Sequence, residues 1–504
     1  MVVTLGLVWA GCGDDDGGGG EGRPAGTRVP GCLSDDGIDL FAAEGDQVLG
    51  LTWNNIAAAD FSGGYRVRYG TASGEYGEEV LVECATIDCE FNLTGLQNET
   101  TYYVVVDSLD SAESVTKTSC EVAATPHELA FFEDLRINDG DDGVQAAPTL
   151  AAAWNGTPLF LAWEDEGTVL LARSDDLGET WTEPIAVHGG AGAESDPVLT
   201  FRRWVVETDP ETDEQTVVVE PGLLLTFVAG GEVMVMRGDF PDGHDGDVVL
   251  SEPVSLGVGA LPRIAAVRDH LEVAFEDGGQ VFAASGDLAD LAFDAPQQVD
   301  TGGGEYYKPS VAIDPVTDDV YVAYHGRRGM GDTDIYLNLS ADSGATYLAE
   351  EVRVDDDTTG ANQLNVSLAV DHRTGQVMAT WEDRRGGANI YFSRSFDGGI
   401  TWEPNIDTAA GLSGDQFHPL AVVDPGRNVY VVFLDTTNGQ RPLFSRFNPD
   451  GTFDPPLEVS TAAGQAGAAA DEPTVAMDEY GTVFVAWTEN REGAETDLFF
   501  ARAE

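Results

Sequence analysis

Residues Asn365–Trp402 read NVSLAVDHRTGQVMATWEDRRGGANIYFSRSFDGGITW, and the rhythm of this stretch decides the fold. Val366-Ser367-Leu368-Ala369-Val370 is an apolar run that stops at Asp371; Gln376 to Trp381 is a second run and Asn389 to Ser393 a third. Short runs of β-branched and aromatic residues between Gly, Asp and Asn are strands joined by turns. The closing phrase SRSFDGGITW returns as ARSDDLGETW at Ala172–Trp181 and as NLSADSGATY at Asn338–Tyr347. Comparable first strands begin at Pro148, Pro197, Pro262, Pro309, Asn365, Pro419 and Pro473.

Four strands recurring at a period of roughly fifty residues are the sign of a β-propeller, whose blades bury their faces only against one another. Seven starts predict seven blades over residues 127–504, with a six-bladed ring as the alternative. The last unit holds three strands before Glu504. Phe132–Asp139 (FEDLRIND) parallels the fourth strand at Glu350–Asp355 (EEVRVD). The N-terminal edge of the domain is therefore expected to complete the last blade and remove two open sheet edges. Arg202–Pro221 reads as an inserted hairpin.

The pattern Ser-x-Asp-x-Gly-x-Thr-Trp resembles the Asp-box, or BNR repeat. Its positions are Ser174, Asp176, Gly178 and Trp181; Ser340, Asp342, Gly344 and Tyr347; and Ser395, Asp397, Gly399 and Trp402. Ser and Asp side chains hold backbone groups in a tight turn, Gly supplies a positive φ, and the aromatic ring packs between blades. The turn joins strands three and four, so it lies opposite the face where propellers bind ligands. It is expected to be structural.

Residues that break the repeat on the other face are the candidate ligand contacts: Glu305, Tyr306, Tyr307, Lys308, His325, Arg327, Arg384, Phe417 and His418. Aromatic faces beside hydrogen-bonding groups suit sugar rings or peptide side chains. The resemblance to Asp-box propellers includes sialidases, sortilin-like receptors and xyloglucan hydrolases. A sialidase would need three converging arginines, a tyrosine activated by a glutamate, and an aspartate acid. Arg327, Arg384 and Arg491 with Glu305 and Tyr306 or Tyr307 could be assembled into such a set, but no spacing selects them. The nearest string to the family's Arg-Ile-Pro stretch, Pro262-Arg263-Ile264-Ala265, stands in a different blade and lacks the second proline. No catalytic residue is assigned. No serine-nucleophile elbow, HExxH or P-loop is present.

Ahead of the repeats, Leu7-Val8-Trp9-Ala10-Gly11-Cys12 closes a short apolar stretch and resembles a bacterial lipoprotein signal (residues 1–12), with Cys12 the lipid attachment. Residues 13–31 are a Gly/Asp-rich tether. Residues 32–126 resemble a fibronectin type III domain. Leu49-Gly50-Leu51-Thr52-Trp53 matches its B strand, Tyr65–Thr71 its C strand, and Leu93–Tyr102 its E–F corner with the tyrosine. Cys32, Cys84, Cys89 and Cys120 fit an oxidising compartment and allow three pairings. Cys84 with Cys89 would close a small hairpin and leave Cys32 with Cys120.

The chain carries 89 acidic against 25 basic residues, a formal charge of −64, and only Lys117 and Lys308 are lysines. Nucleic acid is thereby disfavoured as a partner. No cofactor is expected beyond calcium, for which Asp139, Asp141, Asp355 and Asp357 are the candidate oxygen ligands. The sequence thus predicts an all-β protein: a fibronectin type III β-sandwich followed by a seven-bladed β-propeller. Its expected role is non-catalytic binding of a glycan or protein at the cell exterior, lipid-anchored to the bacterial outer membrane or cell surface. A sialidase-like exo-glycoside hydrolase and a structural envelope component are the alternatives.

Overall fold

The computed structural model describes residues 31–32, 38, 40–45, 47–54, 64–82, 88–110, 112, 114–127, 130–138, 143–153, 157–189, 194–202, 205–208, 215–219, 222–240, 247–329, 331–371, 375–423, 428–448, 451–460, 470–478, 482–491 and 496–503. Their regular structure is entirely strand. Cys12, most of the tether, Cys84, Asp139 and Asp141 lie outside the described residues, as does the side chain of Cys32.

The N-terminal part folds as two sheets over one core. One joins Gly31–Cys32, Leu40–Gly45, Val48–Asn54 and Asp88–Thr94. The other joins Glu78–Val82, Tyr65–Gly70 and Tyr102–Leu109, and both Val115–Thr118 and Val122–Ala124 pair with Tyr102–Leu109. Alternate residues turn inward because side chains on a strand repeat every two positions. Leu49, Leu51 and Trp53 meet Tyr65, Val67, Val104 and Val106 in that core. Trp53 and Tyr65 pack edge to face at 5.5 Å. The Tyr102 hydroxyl accepts the Gln97 N–H at 3.1 Å, tying the strand to the turn before it. Cys89 and Cys120 are both disulfide-bonded; the pairing of the four cysteines depends on side chains outside the described residues.

Among the described residues, seven further sheets share one plan: a long first strand, two antiparallel strands after it, and a short fourth. The first strands are Gln145–Ala152, Glu194–Arg202, Ala260–Val267, Glu305–Ile313, Gln363–Val370, Gln416–Val423 and Ala470–Met477. Each packs on the next, and Ala470–Met477 packs on Gln145–Ala152, so they close a ring. The molecule is an all-β propeller. Its cores lie between sheets: Tyr321, Leu337 and Trp381 share one cluster, and Leu161, Trp163 and Phe500 share another across the closing seam.

The seam is made as the sequence parallel predicts. Leu135–Arg136 pairs antiparallel with Phe499–Phe500 and forms the outer strand of the last sheet. Phe132 and Ile137 donate backbone N–H groups to Arg502 and Leu498, each at 2.9 Å. The inserted span in the second sheet holds a separate two-stranded hairpin, Val205–Thr208 with Gln215–Val219.

Candidate functional site at the mouth of the ring

The register sends the Asp-boxes and the candidate ligand contacts to opposite ends of the sheets. In the fifth sheet Val377 opens the second strand opposite Ser395, while Asp383 closes it opposite Gln363 of the first strand. The fourth sheet repeats this, with Val320 opposite Ser340 and Arg327 opposite Glu305. A strand of this length, at about 3.3 Å per residue, separates the two ends by roughly 20 Å.

At the box end the polar atoms are satisfied within the turn. Ser395 Oγ donates to Asp397 at 2.9 Å and accepts the Gly399 N–H at 2.9 Å. Asp397 accepts the Thr401 N–H at 2.8 Å and its hydroxyl at 2.6 Å. Trp402 Nε1 donates to the Gly399 carbonyl at 3.1 Å. The turns at Ser174 and Ser340 repeat the Ser–Asp, Ser–Gly and Asp–Thr contacts. Burial would raise the Asp176 and Asp397 carboxyls, but hydrogen bonds from Thr180 and Thr401 prevail and lower both. Each box also presses on the preceding sheet. Gly178 has a φ of 87°, and a Cβ there would sit 2.2 Å from Phe500.

The mouth end is built from a feature the sequence reading missed. All seven first strands carry a bulge at the same place. The bulged residues are Ala147, Asp196, Leu261, Lys308, Asn365, His418 and Glu472, with φ of 49°, 52°, 50°, 48°, 55°, 52° and 48°. Non-glycine residues avoid this region, so seven in one ring amount to stored strain, and bulges re-aim side chains. Six of the seven precede a proline, the signal that was available in the sequence. Backbone groups at the bulge bind the neighbouring sheet: the Ala147 N–H donates to Glu472 at 2.5 Å and the Asn365 N–H to His325 Nδ1 at 3.3 Å. Two residues further in, hydroxyls lock the ring, as where Thr149 accepts the Leu199 N–H at 3.0 Å and Ser310 the Leu368 N–H at 3.0 Å.

The candidate residues divide once their partners are known. Tyr306 is a correction: it is fully buried, edge to face with Tyr324 at 5.4 Å, and its hydroxyl takes a hydrogen bond from Arg328. It is core because its neighbour Tyr307 takes the opposite face of the strand. His325 is also buried, and burial, then Lys308, pushes its pKa down to about 4. It is a neutral acceptor that braces Asn365. Arg384 is exposed but held by Glu382 at 2.8 Å. Arg491 is held by Asp134 and Glu489, with its guanidinium 3.7 Å over the Phe499 ring.

Glu305, Lys308 and Arg327 are exposed, and Tyr307, Phe417 and His418 are half-buried. Burial and then the Glu305 carboxylate raise the Tyr307 phenol; its ring lies 6.0 Å from that of His325. His418 Nδ1 stands 3.5 Å from Asp471. Arg263, quoted in the sequence only as a string, lines the inner strand here. Burial lowers its pKa, while Asp196 on the adjacent sheet and Glu472 on the last one hold it up. Burial and the same two carboxylates raise Glu164.

Asp355 and Asp357 are a second correction. Both are buried with their oxygens filled by the protein: Asp355 accepts the Ile335 N–H at 2.9 Å and Arg353 at 2.7 Å. Asp357 accepts the N–H groups of Thr359, Gly360 and Ala361, each at 3.1 Å. Carboxylates spent on backbone donors do not converge on a cation.

No protein-family model and no curated protein matches the chain. Among solved structures, a protein of unknown function from Dyadobacter fermentans is similar at 16% identity and a TM-score of 0.47, over 75% of this chain and 99% of that one. Polysaccharide lyase Uly1 is similar at 10% identity and a TM-score of 0.47, over 74% and 99%. The NanB sialidase from Streptococcus pneumoniae is similar at 11% identity and a TM-score of 0.38, over 94% and 92%.

Proposed function

We propose that the chain is an exported, lipid-anchored binding protein whose seven-bladed propeller takes up an acidic glycan at its mouth without transforming it. In this reading Cys12 carries the lipid at the bacterial outer membrane or cell surface, and a fibronectin type III sandwich spaces the ring from it. The observation that carries the reading is the distribution of uncompensated cations. In a chain of formal charge −64 most described arginines are tied to a carboxylate. Of the others, Arg268 donates to the Pro315 carbonyl at the box end and Arg263 sits in the field of Asp196 and Glu472, whereas Lys308 and Arg327 form no ion pair and both stand at the mouth end of the fourth sheet. Such groups recognise a carboxylate or sulfate, and Tyr307, Phe417 and His418 offer ring faces for the sugar.

One observation favours a hydrolase, the Glu305 carboxylate close enough to Tyr307 to act on its phenol. Against it, the raised Tyr307 phenol is a poorer nucleophile, and Arg384 and Arg491 are already engaged. Calorimetric titration with oligogalacturonates and with neutral cello-oligosaccharides tests the proposal. Saturable binding of the acidic series, weakened at least tenfold in K308A/R327A, is expected. Equal binding of both series would overturn it, as would release of product from a fluorogenic sialoside that K308A/R327A abolishes.

A further inference from the structure

A second recognition surface lies on the N-terminal sandwich, away from the ring mouth. The hairpin linking Tyr65–Gly70 to Glu78–Val82 folds back over the end of Tyr102–Leu109 and leaves a cleft of about 520 Å³. Tyr69, Tyr76 and Tyr102 line it, with Thr71, Glu75 and Glu78. Its size falls within the range of small-ligand sites, roughly 300–1,000 Å³.

The cleft wall is held in place before any ligand arrives. Glu121 accepts the Ser73 hydroxyl at 2.6 Å, the Gly74 N–H at 2.7 Å and the Tyr76 hydroxyl at 2.5 Å, so three consecutive parts of the turn are pinned to one carboxylate. The hairpin approaches so closely that a Cβ on Gly70 would sit 2.1 Å from the Glu75 carbonyl oxygen. Burial and Glu121 push the Tyr76 phenol up to about 12, so it remains a neutral ring.

The chemistry of the lining selects the occupant. It presents phenol rings, a threonine hydroxyl and two carboxylates, and no lining side chain carries a nitrogen donor. Glu75 and Glu78 make no ion pair or side-chain hydrogen bond. The lining hydroxyls donate as well as accept, but the two carboxylates only accept, and an organic cation gains charge attraction from carboxylates and π faces that a neutral sugar does not. Tyr76 already shows this preference: the Arg68 guanidinium, held by Asp107 at 2.7 Å, sits 4.9 Å from its ring centroid. The overall charge of −64 adds a long-range pull on cations that salt would screen.

We propose that this cleft binds an organic cation, an alkylammonium or guanidinium group, between the tyrosine rings and the Glu75 and Glu78 carboxylates. The group could arrive on a free amine or on a basic side chain of another protein. The test uses saturation-transfer NMR on the full chain with n-butylammonium, with n-butanol as neutral isostere, and with N-acetyl-lysine amide and spermidine to separate the two sources. Saturable n-butylammonium binding is expected, at least tenfold weaker in E75Q/E78Q at unchanged thermal midpoint and weakened by added salt. Failure of n-butylammonium to saturate, equal binding of n-butanol, or binding unchanged in E75Q/E78Q would each overturn the proposal. Because Lys308 and Arg327 are not involved, K308A/R327A leaves this binding intact whatever becomes of the mouth.

Discussion

The two ends of the ring solve opposite problems with the same strands. At the box end, three turns on three sheets repeat the same hydrogen bonds, and the polar side chains are satisfied within seven residues of sequence. At the mouth, seven bulges repeat the same backbone conformation but present Ala, Asp, Leu, Lys, Asn, His and Glu. One end keeps the side chains and the other keeps only the frame that aims them. Recognition of one ligand by a pseudo-symmetric ring requires that second arrangement, because identical side chains around a circle cannot distinguish one side of a ligand from another.

Substitutions at the two ends should therefore differ in kind. The largest effect is expected from Gly178→Ala at the box end, where the added methyl meets Phe500 and the φ is positive. Denaturant titration should show a loss of about 3 kcal/mol; a loss below about 1 kcal/mol would mean the box does not clamp the neighbouring sheet. At the mouth, acid should act through His325. Its folded pKa lies below its ordinary 6.5, at about 4. It contributes stability above pH 6.5 that is lost as the pH falls toward 4, by about 3 kcal/mol in all. In H325N that window of the stability–pH curve should flatten, whereas the box aspartates, depressed below 3.8, should give way only at lower pH. If wild type and H325N lose stability in parallel, His325 is not buried as a neutral base.

A smaller loss is expected from Ser395→Ala, which leaves the buried Gly399 N–H without its acceptor. About 1–2 kcal/mol by the same titration is the scale for one orphaned donor. The smallest change in stability, within about 0.5 kcal/mol, belongs to K308A and R327A, which remove exposed and unpaired charges. Their effect should appear in glycan titrations alone. A marked fall in their thermal midpoint would make the two ends alike, with the mouth cations as structural as the boxes.

The strands, the repeat and the strand that closes the ring were legible because each is written locally. Alternation marks a strand, and FEDLRIND could be matched to EEVRVD without knowing where either lies. The site was legible only in outline. Adjacent tyrosines at 306 and 307 are equivalent in composition, but the strand puts one in the core and one at the surface. Arg327, Arg384 and Arg491 were interchangeable as letters, and only their partners separate them: Glu382 for Arg384, Asp134 and Glu489 for Arg491, and no ion pair for Arg327. Asp355-Asp356-Asp357 resembled a cation site until the backbone donors around Asp355 and Asp357 were seen. Arg263 drew no suspicion because its importance lies in facing Asp196 and Glu472, each more than sixty residues away.

By itself the sequence determined a chain of antiparallel strands in repeated four-strand units, pinned by turns whose hydrogen bonds span only a few residues. Interactions that short survive any arrangement of the rest, so they can be read from order alone. The tertiary structure alone decided which charges are neutralised and which side chains reach the channel. Both depend on distances between sheets, and the closure of the ring sets those distances.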